Sequence, residues 1–127
     1  MTDNDDLLTY YLDWTSKALV ELDELLARLK SEEGAEGFNK EIYAIAHNLK
    51  GMGSSFGFDL MTASGNSLCE YLRKLEERNA TASVVGAHLK AMKVILDKRI
   101  TGDGGDDGKA LVARLNKLAK EDISQNH

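Results

Sequence analysis

His47, Lys50 and Gly51 are the residues of this 127-residue chain whose types and spacing could do chemistry. They lie in the run Glu41-Ile42-Tyr43-Ala44-Ile45-Ala46-His47-Asn48-Leu49-Lys50-Gly51-Met52-Gly53-Ser54-Ser55-Phe56-Gly57, which reads as one helix ending in glycine. At about 100° per residue, Ile42, Ile45, Ala46, Leu49, Met52 and Phe56 form one apolar stripe, the expected core face. His47 points roughly 170° from the middle of that stripe, and Tyr43, Lys50, Gly51 and Ser54 surround it on the outer face. An imidazole presented to solvent is a nucleophile that a second molecule can reach. Lys50 puts an ammonium beside the ring, where it could stabilise a negatively charged group being received or released. Gly51, one turn after His47, costs about 1 kcal/mol relative to alanine in a helix interior. That cost has a reason if the missing side chain lets another molecule approach the imidazole. Gly53 falls on the core side, where close helix packing is its expected use.

His47-Asn48-Leu49-Lys50-Gly51, followed by small residues and then Phe56-Gly57, resembles the H-x-x-K-G signature of histidine-containing phosphotransfer (HPt) domains of two-component phosphorelays. The resemblance covers the helical layout from about Asp5 to Ile100, and the extension after Thr101 is not needed by the pattern. It implies a helical bundle whose exposed histidine takes a phosphoryl group from an aspartyl phosphate on one receiver domain and passes it to another. His47 would then be the phosphorylated residue, Lys50 the charge stabiliser and Gly51 the point of close approach. Tyr43 and Ser54 lie outside the signature and are expected as partner-contact positions because they share the outer face with His47. Receiver domains of response regulators or of hybrid histidine kinases are the implied partners. The chain itself would need no cofactor, and magnesium is expected in the partner receiver domain.

The elements that position these residues follow from composition and periodicity. The chain has no proline, and Ala, Leu, Lys and Glu dominate, a composition that favours helices. One all-α domain over residues 1–127 is expected. Net charge is −5 with both signs interspersed, unlike the basic footprint of a nucleic-acid binder, so no polynucleotide partner is expected. The acidic start Met1-Thr2-Asp3-Asn4-Asp5-Asp6 is unlike a secretory signal peptide, and no apolar run is long enough to span a membrane. Cys69 is the sole cysteine, so no internal disulfide forms, and no zinc-ligand spacing is present. A cytoplasmic monomer is the expectation.

A first helix is expected from Asp3 or Asn4 to Lys30, with Asp5 and Asp6 favourable to its dipole. Leu7, Leu8, Tyr11, Thr15, Ala18, Leu19, Leu22, Leu25, Leu26 and Leu29 make its stripe, and Trp14, at the edge, reads as a half-covered packing residue. Residues 31–37 read as a polar loop, and the helix bearing His47 follows from Phe38. Gly57 is the stop and Asp59 the next N-cap, so a third helix folds back antiparallel. It carries Leu60, Met61, Ser64, Leu68, Tyr71, Leu72 and Leu75 on one face to about Glu77. Cys69 lies off that face and reads as a surface or boundary thiol. Asn79-Ala80-Thr81 is expected to end the third helix and cap a fourth that groups Val84, Val85, His88, Met92, Ile95 and Leu96 and reaches Ile100. His88, inside the stripe and without a Lys-Gly pair, reads as a packed histidine. The glycine and aspartate run over residues 101–108 reads as a break, and it lacks the terminal glutamate of an EF-hand loop. A last helix is expected over residues 109–121. The architecture is an up-and-down antiparallel four-helix bundle over about residues 4–101 with an accessory C-terminal helix.

Three functions compete for this frame: a phosphoryl carrier, a non-catalytic helical-bundle binding module, and a bundle enzyme or metal protein. Carboxylate-bridged bundles need Glu-x-x-His pairs, and none occurs. Nor is there a glycine-rich nucleotide loop, so autokinase activity is not expected and the phosphate must come from a partner. An exposed helical glycine is a plain cost to a binding module, which favours the carrier.

Overall fold

The computed structural model describes residues 3–31 and 38–125, with side chains from residue 6; the loop expected over residues 31–37 lies outside the described residues except for Ser31. Five α-helices make up the fold: α1 (Asp3–Ser31), α2 (Phe38–Gly53), α3 (Asp59–Leu75), α4 (Ala82–Asp97) and α5 (Gly105–Gln125), with a 3-10 turn at Ser54–Phe56. Each of α1 to α4 packs against two neighbours in the cycle α1–α2–α3–α4, giving the antiparallel four-helix bundle, and α5 docks outside it on α3 and α4.

The core is built from the stripes that periodicity marks. Leu19, Leu22, Leu25, Leu26 and Leu29 of α1 meet Ile42, Ala46 and Leu49 of α2, Leu68 and Leu72 of α3, and Val84, Val85, Met92 and Ile95 of α4. Tyr11 ties the start of α1 to the α2–α3 connection by stacking on Phe56 at 4.7 Å and on Phe58 at 5.2 Å between centroids. Trp14 is half-covered against the core, in line with its packing role. The first turn of the α1 stripe is not core: Leu7 is 54 % and Leu8 38 % exposed, because this end of α1 precedes the layer closed by Tyr11.

Several boundaries differ from expectation. The second helix is not continuous to Gly57; it tightens after Gly53 into the 3-10 turn. Gly57, at φ 85°, then reverses the chain, with its N–H on the Ser54 carbonyl at 3.1 Å and the Phe58 N–H on the Gly53 carbonyl at 2.9 Å. Phe58, not Asp59, holds the cap position of α3, and Asp59 lies in the first helical turn, where its carboxylate still favours the dipole. Thr81 caps α4 by position but makes no side-chain cap bond. Its hydroxyl is drawn away to Asp122 at 2.7 Å. Helix α3 stops at Leu75 and α4 at Asp97, both short of the expected ends.

Helix α5 begins at Gly105 and not at 109, since Asp106 and Asp107 occupy its first turn and the Asp103 carboxylate accepts the Gly105 N–H at 2.9 Å. It buries Leu115 and Ala119 against the bundle. The linker before it is stitched to the α2–α3 connection: the Gly102 N–H donates to the Gly57 carbonyl at 2.7 Å, and the Gly102 carbonyl accepts from the Leu60 N–H at 2.8 Å. Because α3 is flanked by α2, α4 and α5, its buried surface is wider than one stripe. Cys69 is consequently fully buried and is no surface thiol.

Candidate functional site

Ile42 and Leu49, at 0 % and 1 % exposure, fix the rotation of α2 and leave position 47 on the opposite side. His47 is exposed there, as its spacing predicts. One turn earlier, Tyr43 lies with its ring centroid 5.9 Å from the imidazole and the two planes 16° apart. The phenol is held in turn from α3. Arg73 Nη2 donates to Tyr43 Oη at 3.0 Å, its guanidinium carbon stands 5.8 Å from the Tyr43 ring centroid, and its Nη1 pairs with Glu70.

Lys50 is half-buried, and its backbone is fixed from α3 at two points. Thr62 Oγ1 donates to the Lys50 carbonyl at 2.9 Å. At Gly65, a Cβ would stand 2.9 Å from the Lys50 nitrogen and 3.2 Å from the Ala46 carbonyl oxygen, so the absent side chain is what lets α3 approach this closely. Gly51 is the reverse case: it is exposed, with nothing within 4 Å of where a Cβ would stand. Gly53 faces inward as expected, a Cβ there falling 2.5 Å from Thr62 Oγ1. Ser54 is exposed in the 3-10 turn, and its N–H donates to Thr62 Oγ1 at 2.7 Å. Tyr43, His47, Lys50, Gly51 and Ser54 thus share one face of α2 and its continuation.

Beneath this face, burial pushes the Cys69 thiol up, while the positive charges of Lys50 and Arg73 act on it in the opposite sense. The result is a neutral packing group. His88 is also withdrawn from chemistry. It is fully buried on α4, with Nδ1 2.8 Å from the Val84 carbonyl oxygen and Nε2 2.9 Å from Ser67 Oγ. A carbonyl only accepts, so Nδ1 carries the proton and Nε2 accepts from the Ser67 hydroxyl. Burial lowers the His88 pKa, and the Val84 bond opposes that only in part. The fold exposes His47 and encloses His88.

The residues that sequence reasoning missed are Thr62, Gly65, Glu70 and Arg73. All four sit on α3, and their relation to His47 depends on how that helix faces α2. The cluster Thr62-Ala63-Ser64-Gly65 carried a partial signal, since small residues mark a close helix contact.

A family model described as Hpt domain matches residues 6–99. The chain belongs to the Hpt domain family. Hpt domains are helical bundles that serve histidine phosphotransfer in phosphorelays and interact with receiver domains. The matched span of this Hpt domain takes in α2, α3 and α4 whole, and α5 lies beyond it. Neither a curated protein nor a solved structure matches the chain. Among the described residues, no helix is long and apolar enough to cross a membrane, and no group of three or more His, Cys, Asp or Glu side chains could hold a metal ion.

Proposed function

We propose that this Hpt domain is a phosphoryl carrier in which His47 takes a phosphoryl group from the aspartyl phosphate of one receiver domain and yields it to another. The observation that supports this most directly is the pairing of an exposed imidazole with empty space over Gly51 one turn on. The neutral imidazole nitrogen attacks phosphorus; the N–P bond forms as the P–O bond to the aspartyl oxygen breaks, the carboxylate leaves as an anion, and the ring N–H proton passes to solvent. Onward transfer runs the same exchange backwards on a second receiver. The Lys50 ammonium, on the same helix face, offsets charge on the phosphoryl oxygens as it shifts between donor and acceptor. Magnesium and the acidic pocket belong to the receiver, and Tyr43 and Ser54 border the surface that it covers.

Incubation with a phosphorylated receiver domain tests this reading. Acid-labile, base-stable phosphate is expected on the wild-type protein and on His88→Gln, and none on His47→Gln. Label retained by a folded His47→Gln protein overturns the assignment. If no protein of the series takes label from any receiver, the chain is a binding module that keeps the Hpt fold without its chemistry.

A further inference from the structure

We propose that Arg73 and Tyr43 are positioning residues for the His47 imidazole: a guanidinium on α3 pins the phenol on α2, and the pinned ring restricts the directions the imidazole takes. The inference rests on the reading of His47 as phosphoryl acceptor. An exposed side chain on a helix normally exchanges among staggered rotamers on the picosecond to nanosecond scale. Helical side chains lean toward the N-terminus, so His47 reaches back over the residue four positions earlier. That residue is Tyr43, and a separation of 5.9 Å with planes 16° apart is the offset arrangement that aromatic pairs favour.

A tyrosine on an open helix face would itself move, and a moving ring would restrict nothing. Here it is tethered from a second helix. Arg73 donates to the hydroxyl at 3.0 Å and lies 5.8 Å from the ring centroid, within cation–π range. Arg73 is oriented by Glu70, one turn back on α3. The line Glu70, Arg73, Tyr43, His47 therefore ties the imidazole to α3, whose register against α2 is fixed where Gly65 meets Lys50 and Ala46. In-line phosphoryl transfer gains from a nucleophile already aimed, because little covalent chemistry is left for the protein to supply. The Arg73 side chain is 53 % exposed, so a second role must be separated from this one: direct contact with the receiver.

A double-mutant cycle on the full chain separates them, read in two ways. In the unphosphorylated protein, NMR of the His47 ring protons should show a ring-current displacement that Tyr43→Leu abolishes and Arg73→Ala diminishes. With phosphorylated receiver at saturation, Tyr43→Leu and Arg73→Ala should each lower the transfer rate by about two- to tenfold, the population change that one aromatic pair can hold, and Arg73→Ala should do so with KM unchanged. The double variant should be no slower than Tyr43→Leu, since Arg73 acts through that ring. The proposal is overturned if Arg73→Ala leaves the imidazole shifts in place, if the two rate losses multiply, or if Arg73→Ala raises KM at an unchanged saturating rate. The NMR arm needs no phosphate. A wild-type protein that takes no label therefore refutes the carrier reading, while the imidazole shifts still decide whether the tether exists.

Discussion

The hydroxyl of Thr62 is inserted into the hydrogen-bond ladder of α2, donating to the Lys50 carbonyl at 2.9 Å and accepting the Ser54 N–H at 2.7 Å. In an uninterrupted α-helix that N–H would bond the Lys50 carbonyl directly. The insertion falls where α2 gives way to the 3-10 turn, and Gly53 leaves the room for it. Thus the first turn of α3 determines where the backbone of Lys50 lies.

Thr62→Val should therefore destabilise the fold by about 1 to 3 kcal/mol, since it leaves a carbonyl and an N–H without their shared partner. Thr62→Ser, which keeps the hydroxyl, should recover most of the loss. Urea denaturation of the three proteins measures this. A valine variant as stable as wild type would mean that water or a direct bond closes the ladder equally well.

His88 gives stability a pH dependence of definite sign. Its folded pKa is lowered by burial, whereas in the unfolded chain an imidazole titrates near about 6.5. Above that pH neither state binds the proton and His88 has no effect. As pH falls below it, the unfolded chain takes up a proton that the folded one refuses, and stability drops by up to about 1.4 kcal/mol per pH unit until the folded pKa is reached. His88→Gln should be less stable at pH 7.5 and should lose the part of the acid slope that belongs to this group. Denaturation at pH 7.5 and 5.5 tests it. Parallel losses in both proteins would assign the acid sensitivity elsewhere.

These two residues show what a single sequence discloses. The burial of His88 was legible because Val84, Val85, Met92 and Ile95 surround it at helical spacing, and the exposure of His47 was legible for the converse reason. Both depend on one helix at a time. Thr62, Gly65 and Arg73 act between helices, and their roles depend on the rotation of α3 against α2, which no local period encodes. Cys69 was misread on the same ground: periodicity marks one buried face, but α3 has neighbours on three sides. The expected start of α5 falls four residues late because Gly104, Gly105 and Gly108 read as a break, although the helix is bounded from Gly105, itself at φ 66°, with two aspartates in its first turn.

Asp122 holds α5 to the bundle, and its loss should be felt in stability but not in transfer. Its two carboxylate oxygens accept from Tyr71 Oη and Thr81 Oγ1, each at 2.7 Å, so one side chain joins α3, α4 and α5. Burial first of all pushes the Tyr71 pKa up to about 12, which keeps the phenol a donor throughout the neutral range. Asp122→Ala should cost about 1.5 to 3 kcal/mol, the usual range for hydrogen bonds to a charged acceptor. Phosphoryl acceptance at 20 °C below the melting point should stay at the wild-type rate, because α2 takes no part in this latch. Slower transfer by a fully folded Asp122→Ala protein would show that α5 reaches the function of α2.

Gly51 and Gly65 should respond to the same substitution with opposite signs. Gly65→Ala places a methyl group 2.9 Å from the Lys50 nitrogen and 3.2 Å from Lys50 Cα, and because these are backbone atoms the helices must separate. A loss of about 1 to 3 kcal/mol follows, as for other overpacked interiors. Transfer should slow with it, since the displaced segment carries Lys50 and lies beside His47. Gly51→Ala meets open space and removes backbone freedom from the unfolded chain, so it should stabilise by up to about 1 kcal/mol. Gly51→Gln keeps part of that gain and adds a side chain on the face where the proposed receiver would dock. Its stability should hold while transfer falls. Melting curves and single-turnover transfer on the same preparations decide the matter: a Gly51→Gln protein that accepts phosphate as fast as wild type would show that the receiver comes to His47 from another side, and a Gly65→Ala protein of unchanged stability would show that α2 and α3 can part at no cost.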